Sequence, residues 1–360
     1  MENKKELIVK DRHGVEHNLY DLPKNFVFDG DIDLSGSSLK ELPDLSTVTV
    51  TGSFDCWDCS NLTSLKGAPK EVGGDFCCGA CEKLTSLEGV PQKVGRNFSC
   101  ACCTKLTSLE GAPKEINGDF ICRDCEKLTS LEHAPQKVGG NFDCSRCERL
   151  ESLENAPKEV SGDFDCSDCE KLTSLEGAPK EVGGDFSCLR CKVPSLKGAP
   201  KEVGGDFSCW QCDNLTSLEG APEKVGGNFS CHMCDLTSLK GAPKEIGGDF
   251  DCSFCSELKS LIHVPKCKNI EVATVLGELL TKYTSYVTPL GGGGLYLSAT
   301  YESVVSSPRY KQELANEEAL LKTKSKLKAR HQDGEKTDPK KQVARAVNAT
   351  VLKDKESRDI

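Results

Sequence analysis

One pattern of apolar and polar positions repeats along most of the chain. Each unit places an apolar or thiol side chain at a phenylalanine and at the second, fifth, eighth and eleventh positions after it, as in residues 160–182 (VSGDFDCSDCEKLTSLEGAPKEV). A spacing of two predicts a short strand, and the spacing of three that follows turns the chain while its apolar side chains stay on one side. The phenylalanines recur every 22 residues, with two intervals of 21, at Phe54, Phe76, Phe98, Phe120, Phe142, Phe164, Phe186, Phe207, Phe229 and Phe250. This period predicts a solenoid in which each unit forms one coil.

A proline closes the outer part of each unit, and the residue two places before it tolerates an unusual backbone conformation. This residue is His133, Asn155 or His263 in three coils, and in the others it is Gly67, Gly89, Gly111, Gly177, Gly198, Gly220 or Gly241. Glycine, asparagine and histidine are all enriched at positive φ, so we predict a left-handed turn here. Because proline prevents a long helix, we expect turns and short extended segments on the outer side.

Both ends of such a stack need a polar cover. Residues 7–11 and 15–20 predict a hairpin around Gly14 at the N-terminal end. Ser307 and Pro308 are typical of a helix start, and acidic residues precede basic ones as the helix dipole favours, so we expect a helix from about residue 308 to 330. The predicted segments are an N-terminal cap at 1–26, a solenoid at 27–306, a capping helix at 307–332 and a mobile polar tail at 333–360.

The strand and its second cysteine resemble the leucine-rich repeat, whose core reads L-x-L-x-x-N/C, in a cysteine-containing form. Upstream of the cysteine units, the ordinary form is reproduced by Ile32, Leu34, Ser37, Leu39 and Leu42. Downstream, Val272 lies 22 residues after Phe250, and the same columns are filled by Leu295, Leu297 and Thr300. The resemblance implies a mainly β leucine-rich-repeat solenoid of about thirteen coils, with a concave parallel sheet, an irregular convex side and a C-terminal capping helix.

The repeated text LTSLxGAPxxVGGxF also looks like repeats of bacterial and phage leucine-rich proteins, which implies protein binding. Bacterial leucine-rich effector ubiquitin ligases carry a catalytic cysteine domain after their repeats, but here no cysteine follows Cys267. The remaining segment of about 90 residues is also short for an enzymatic domain. We therefore predict that the chain is not an enzyme.

Composition and charge restrict the partners. Aromatic residues make up only 6% of the 360 residues, while the chain has 33 glycines and 23 cysteines. The N-terminal residues lack a secretory signal pattern, so we expect reduced thiols in the cytoplasm, or delivery into a host cytosol by a route without a classical signal peptide. Net charge is −10, and residues 308–360, with 14 basic and 9 acidic side chains, leave −15 on the rest. We expect that the chain binds neither nucleic acid nor a membrane, and that it is a monomer.

Ten Cys-x-x-Cys pairs raise the possibility of a zinc-binding or thiol redox protein, which we keep as the alternative function. The 18 residues between Cys59 and Cys78 fall within the spacing of known zinc sites. However, Leu34 and Ser37 occupy the two cysteine columns in an outer coil, and leucine cannot bind metal. We therefore predict that the thiols are core side chains, with no metal and no cofactor, and that Cys77 and Cys102 are outward exceptions.

A polar stripe precedes the phenylalanines, at Asp75, Asn97, Asp119, Asn141, Asp163, Asp185, Asp206, Asn228 and Asp249. Aspartate and asparagine after Gly-Gly are ordinary turn residues, and we favour that interpretation over a calcium site or a surface for a basic partner.

The two positions between paired cysteines vary in almost every coil. They hold both tryptophans of the chain and its internal methionine, and we expect their side chains to point to solvent. Because tryptophan and arginine dominate binding hot spots, we predict a non-enzymatic scaffold that binds a protein partner on the concave face. The predicted binding residues are Trp57, Asp58, Arg123, Arg146, Leu189, Arg190, Trp210, Gln211, His232, Met233 and Phe254.

Overall fold

The computed structural model describes residues 6–273, 279–285, 288–289 and 296–332, and it shows a β-solenoid of about eleven coils. Each coil contributes a two-residue strand to a parallel sheet, in which equivalent residues pair in register, as Phe54 does with Phe76. We call this the phenylalanine-side sheet. Its coil strands are Ile32–Asp33, Phe54–Asp55, Phe76–Cys77, Phe98–Ser99, Phe120–Ile121, Phe142–Asp143, Phe164–Asp165, Phe186–Ser187, Phe207–Ser208, Phe229–Ser230 and Phe250–Asp251.

The opposite side of each coil is extended too, which confirms the prediction of short extended segments without helices. These segments are hydrogen-bonded into parallel sheets, which the sequence pattern did not predict. We call this the valine side. A three-stranded sheet contains Val27–Phe28, Thr49–Val50 and Glu71–Val72, and a seven-stranded sheet contains Glu115–Ile116, Lys137–Val138, Glu159–Val160, Glu181–Val182, Glu202–Val203, Lys224–Val225 and Glu245–Ile246.

The core between the two sides consists of columns of identical residues. The ten phenylalanine rings form one continuous stack, with centroids of neighbours 4.9–5.8 Å apart and planes within 25° of each other. Both cysteine columns and the following leucines are buried beside this stack. The prediction that paired thiols belong to the core is therefore confirmed. Cys77, Cys102 and Cys267 are half-buried outside the paired columns.

The predicted left-handed turn is also confirmed. His133, Asn155 and His263 have φ of 70°, 67° and 69°, while the glycines at the equivalent position have φ between 88° and 100°. The three non-glycine residues are thus explained by backbone conformation, as the sequence indicated.

At the N-terminal end, Ile8–Lys10 pairs antiparallel with Glu16–Asn18, which confirms the predicted hairpin. A short 3-10 helix follows at Leu19–Asp21. Arg12 and Asp11 contact the first coil, because the Arg12 main-chain N–H donates to the carbonyl of Asp29 over 2.7 Å.

The prediction of about thirteen coils is wrong at the C-terminal end. Strand Asn269–Ala273 still runs parallel to Phe250–Asp251, but Ile270 pairs with Phe250, so Val272 is two residues out of the predicted column. Strand Tyr296–Thr300 is antiparallel to Asn269–Ala273, and a further strand, Thr288–Pro289, pairs antiparallel with Tyr296–Thr300. Leu297 and Thr300 therefore belong to a strand of opposite direction, and Leu295 lies outside the described residues.

Two helices complete the C-terminal end. A short helix spans Tyr301–Val305, and the predicted helix is confirmed at Pro308–Gln332, where the Ser307 hydroxyl accepts the N–H of Tyr310 over 3.1 Å. The helix packs on the last coil through Glu313, whose carboxylate accepts hydrogen bonds from the hydroxyls of Ser260 (2.6 Å) and Tyr283 (2.5 Å). Glu317 pairs with His263 over 2.8 Å. The tail predicted at 333–360 lies outside the described residues.

Candidate functional site

The candidate site is the row of turns formed by the two residues between each pair of cysteines, which we call the turn row. In every coil the second residue has a positive φ, between 52° and 60°, which a side chain other than glycine, asparagine or aspartate adopts at a cost. These residues are Asp58, Ala80, Cys102, Asp124, Arg146, Asp168, Arg190, Gln211, Met233 and Phe254. The turns are linked along the solenoid, because the N–H of each second residue from Asp58 to Met233 donates to the next coil, as Arg190 does to the carbonyl of Trp210 over 3.0 Å.

The expectation that both columns of the turn row point to solvent is correct for much of the second column and wrong for the first. Ala101, Ser145, Ser167 and Ser253 of the first column are buried, because the turn folds this residue against the neighbouring coils. Leu189, Trp210 and His232 are half-buried. Arg123 is the fully exposed member of this column among the residues described.

Trp57 explains why one first-column position is glycine. Its indole ring covers Gly79 of the next coil so closely that a Cβ atom on Gly79 would lie 2.2 Å from the Trp57 ring. Gly79 is therefore required by the packing of Trp57. Asp58, beside it, is exposed.

In the middle of the row, charged side chains form weak pairs. Arg123 Nη1 lies 3.8 Å from the carboxylate of Asp143, and Arg146 Nη1 lies 3.8 Å from that of Asp124. Because both arginines are exposed, each pair contributes little, on the order of 0–1 kcal/mol. These arginines remain available to a partner.

Farther along, five predicted residues form a continuous patch, which we call the turn cluster: Arg190, Trp210, His232, Met233 and Phe254. Arg190 lies over the Trp210 ring, 5.9 Å from its centroid. His232 meets Trp210 edge-on at 5.7 Å and Phe254 at 5.1 Å. The structure therefore joins residues from four successive coils into one surface. Leu189 and Gln211 flank it, half-buried, on the same coils.

Two members of the turn cluster expose large apolar surfaces. Met233 is 41% exposed and Phe254 is 42% exposed. Trp210 adds a polar group, because its indole N–H is buried and has no hydrogen-bond partner in the described structure. A buried donor of this kind usually has an acceptor, and the described residues supply none here.

The sequence analysis missed a further row, formed by the residue after each phenylalanine and its equivalents at the two ends, which is half-buried apart from the exposed Asp33. It lies on the phenylalanine-side sheet and contains Asp33, Asp55, Cys77, Ser99, Ile121, Asp143, Asp165, Ser187, Ser208, Ser230, Asp251 and Glu271. Asp251 connects this row to the turn cluster, since its carboxylate lies 3.4 Å from His232 Nδ1 and accepts the N–H of Ser253 over 2.8 Å. The sequence could have revealed this row, because successive side chains of a strand point to opposite faces and the residue after a buried phenylalanine therefore points outward.

The polar stripe before the phenylalanines forms a ladder. The Asn97 side-chain oxygen accepts the N–H of Asp119 over 2.8 Å, and Asp119 accepts the N–H of Asn141 over 2.7 Å in the same way. This pattern continues from Asp31 to Asn269, with Ser53 contributing its hydroxyl. The stripe thus has a structural role, as the turn interpretation indicated, although the bonds run between coils.

The first thiol of each pair has a raised pKa, which disfavours thiolate chemistry there at neutral pH. Burial raises the pKa of Cys78, Cys122 and Cys144 far above the ordinary thiol range. Burial likewise raises the pKa of Cys77 to about 11 and that of Cys267 to about 12. All 23 thiols are unpaired, and the described residues contain no group of three or more histidine, cysteine or acidic side chains placed to hold a metal ion.

Comparison of the chain with models of protein families, with curated proteins and with solved structures found no match. The helices within the described ranges include none that combines the length and the apolar character needed to span a bilayer.

Proposed function

We propose that this chain is a non-enzymatic binding protein whose solenoid, of the leucine-rich-repeat type, presents the turn cluster to a protein partner. The observation that carries the proposal is the joining of Arg190, Trp210 and Phe254, through His232, into one surface patch from four coils. Clusters of tryptophan, arginine and other large side chains are typical of the centre of a binding interface.

The backbone of the turn row adds support. Met233 and Phe254 stand at φ of 56° and 58°, where glycine or asparagine would stabilise the turn. Large side chains at such positions lower stability, by about 1 kcal/mol each, and positions of this kind gather at functional sites. Their apolar surface is also exposed, so the fold itself gains little from them. Contact with the proposed protein partner would account for Met233 and Phe254 at these positions.

The leucine-rich-repeat assignment is supported by the second cysteine of each pair. Its thiol donates a hydrogen bond to a main-chain carbonyl of the preceding coil, as Cys103 does to Cys78 over 3.2 Å. The asparagine or cysteine in the pattern L-x-L-x-x-N/C occupies this position, and both side chains are donors. The unpaired thiols further support a reducing compartment, which we propose to be the cytosol.

The test is a pull-down with the full chain, followed by affinity measurements on the partner that it recovers. Replacing Trp210 by Ala should weaken binding by ~2 kcal/mol or more, about 30-fold, and Phe254→Ala should weaken it in the same direction. Lys180→Ala and Glu181→Ala on the valine side are the matched controls and should leave affinity unchanged. Circular dichroism melts establish that each variant is folded. Loss of binding in the valine-side variants, with Trp210→Ala unaffected, would contradict the proposal.

A further inference from the structure

An acidic groove adjoins the turn cluster on the phenylalanine-side sheet. Its volume is about 280 Å³, and its polar lining consists of Asp206, Ser208, Asn228, Ser230, Asp249, Asp251 and Glu271. Asp251 belongs to both surfaces, because its carboxylate lines the groove and also lies 3.4 Å from His232 of the turn cluster. An apolar patch and an acidic groove are therefore continuous on one face.

The negative charge of this face exceeds what the fold requires. Asn228 accepts the N–H of Asp249 over 2.9 Å, and Asp206 accepts the N–H of Asn228 over 2.7 Å, so a neutral amide supports the ladder as well as a carboxylate does. Asparagine at the aspartate positions of the ladder would accept the same main-chain N–H without charge repulsion between carboxylates of neighbouring coils. The repeated choice of aspartate therefore needs another cause.

The carboxylates of the groove are also poorly neutralised. No lysine or arginine lines the groove in the described part of the chain. Burial, together with the neighbouring charges of Asp251 and Asp249, raises the pKa of Glu271. Acidic side chains that repel one another in a groove attract a cationic group, because the cation offsets their mutual repulsion.

We infer, on the basis of the proposed function, that the partner presents a lysine or arginine beside a bulky apolar side chain. The apolar side chain contacts Met233 and Phe254, and the cationic group enters the groove between Asp251 and Glu271. Complementary charge of this kind speeds association and excludes acidic segments. Because part of this attraction comes from exposed carboxylates, binding weakens as the salt concentration rises.

The test measures fluorescence anisotropy of a labelled peptide of three Leu-Lys repeats flanked by Gly-Ser, added to the full chain. A peptide with Gln for Lys and one with Ser for Leu are the controls. We expect the Leu-Lys peptide to bind at least about tenfold more tightly than either control, with affinity falling as salt is raised from 50 to 300 mM, values chosen to shorten the Debye length about twofold.

Charge-neutral variants locate the cationic contact. Asp251→Asn combined with Glu271→Gln should weaken Leu-Lys binding about tenfold. Asp31→Asn combined with Asp33→Asn removes the same number of negative charges at the far end of the sheet and should change affinity less than about twofold. Equal effects of the two double variants would overturn the inference.

Phe254→Ala separates this inference from the proposed function. If Phe254→Ala weakens peptide binding while the Asp251 and Glu271 double variant does not, the binding patch stands and the cationic partner is refuted. If neither variant weakens binding of the peptide or of the recovered partner, the proposed function fails as well.

Light scattering tests whether the chain associates with itself. Self-association that is lost in the Asp251 and Glu271 double variant would assign the groove to the basic helix of a second copy. That result would overturn the inference of a separate partner.

Discussion

The thiol of Cys81 donates a hydrogen bond to the main-chain carbonyl of Cys56 in the preceding coil, over 3.3 Å. The second cysteine of each remaining pair makes the same bond to the preceding coil, with sulfur–oxygen distances of 3.1–3.4 Å. Cysteine is therefore used here as a small apolar side chain that can also donate a hydrogen bond to a carbonyl.

Cys169 offers a direct test of this role, since its thiol donates to the carbonyl of Cys144 over 3.4 Å. We expect Cys169→Ala to lower the free energy of unfolding by about 1–2 kcal/mol, because it leaves a small cavity and removes the donor. Cys169→Ser should cost less, since a hydroxyl retains a donor, and serine already occupies this column in the first coil, at Ser37. Urea unfolding followed by circular dichroism measures both. An equal loss for the two variants would mean that the hydrogen bond contributes nothing.

Alkaline pH should destabilise the protein. Burial raises the pKa of Cys78, Cys122 and Cys144 in the folded state, while in the unfolded chain thiols ionise near pH 8.5, roughly. The unfolded state therefore releases protons first, so the stabilisation is complete below that pH and is lost as pH rises above it, by about 1.4 kcal/mol per pH unit for each such thiol. The urea midpoint should fall between pH 8 and pH 10. Substituting all three cysteines by Ala should make this decline shallower, and an unchanged slope would contradict the thiol origin.

The C-terminal helix should be anchored by Glu313. Its carboxylate accepts hydrogen bonds from Ser260 on the last coil and from Tyr283 beyond strand Asn269–Ala273, and it pairs with Arg309. Glu313→Ala removes one partner from each of these groups, so we expect a loss of about 1–3 kcal/mol, read as a lower melting temperature. Glu318→Ala, an exposed change on the same helix, is the control and should be nearly silent.

Truncation tests whether the helix protects the last coil. Deleting residues 307–360 removes Tyr310, which packs against the apolar core, and should promote association, because an open solenoid end needs a polar cover. Deleting residues 334–360 alone should have little effect. Light scattering compares the two, and identical behaviour would show that the helix does not act as the cap.

The turn row should show a conflict between stability and binding. Met233 adopts φ of 56°, so Met233→Gly should stabilise the fold by up to about 1 kcal/mol while it weakens partner binding. Ala80→Gly, at φ of 53° in a coil far from the turn cluster, should give a similar stabilisation with no change in affinity. Thermal melts and the affinity assay measure the two effects separately. If both glycine variants weaken binding alike, the turn cluster is not the contact.

Much of the fold follows from the sequence because a period of 22 residues fixes which side chains are neighbours. Trp210, His232 and Phe254 could be expected to touch, since equivalent positions of adjacent coils lie side by side. The end of the solenoid could not be predicted in this way. Alternating apolar residues fit a parallel and an antiparallel strand equally well, so nothing in the spacing shows that Leu297 lies on a strand of reversed direction.

The less predictable parts of the site depend on side-chain packing. The spacing of the repeat does not show why residue 79 is glycine, yet a Cβ atom there would collide with the indole of Trp57. The sequence indicates turn residues for the polar stripe, because it does not reveal which N–H a carboxylate accepts. Asn228 and Asp206 accept the same kind of main-chain hydrogen bond, so this bond does not require the negative charge of Asp206.

The phenylalanine stack has a consequence for how this chain can change in length. The Phe186 and Phe207 rings lie 5.2 Å apart although their coil has 21 residues, and Phe164 and Phe186, 22 residues apart, lie at 5.5 Å. The missing residue is absorbed outside the stack, between Cys191 and Val193, where other coils have one residue more. Since every ring meets the same neighbour above and below, loss or duplication of a whole coil creates no new kind of contact. Gene rearrangements in units of one coil can therefore lengthen or shorten the turn row while the two ends stay as they are.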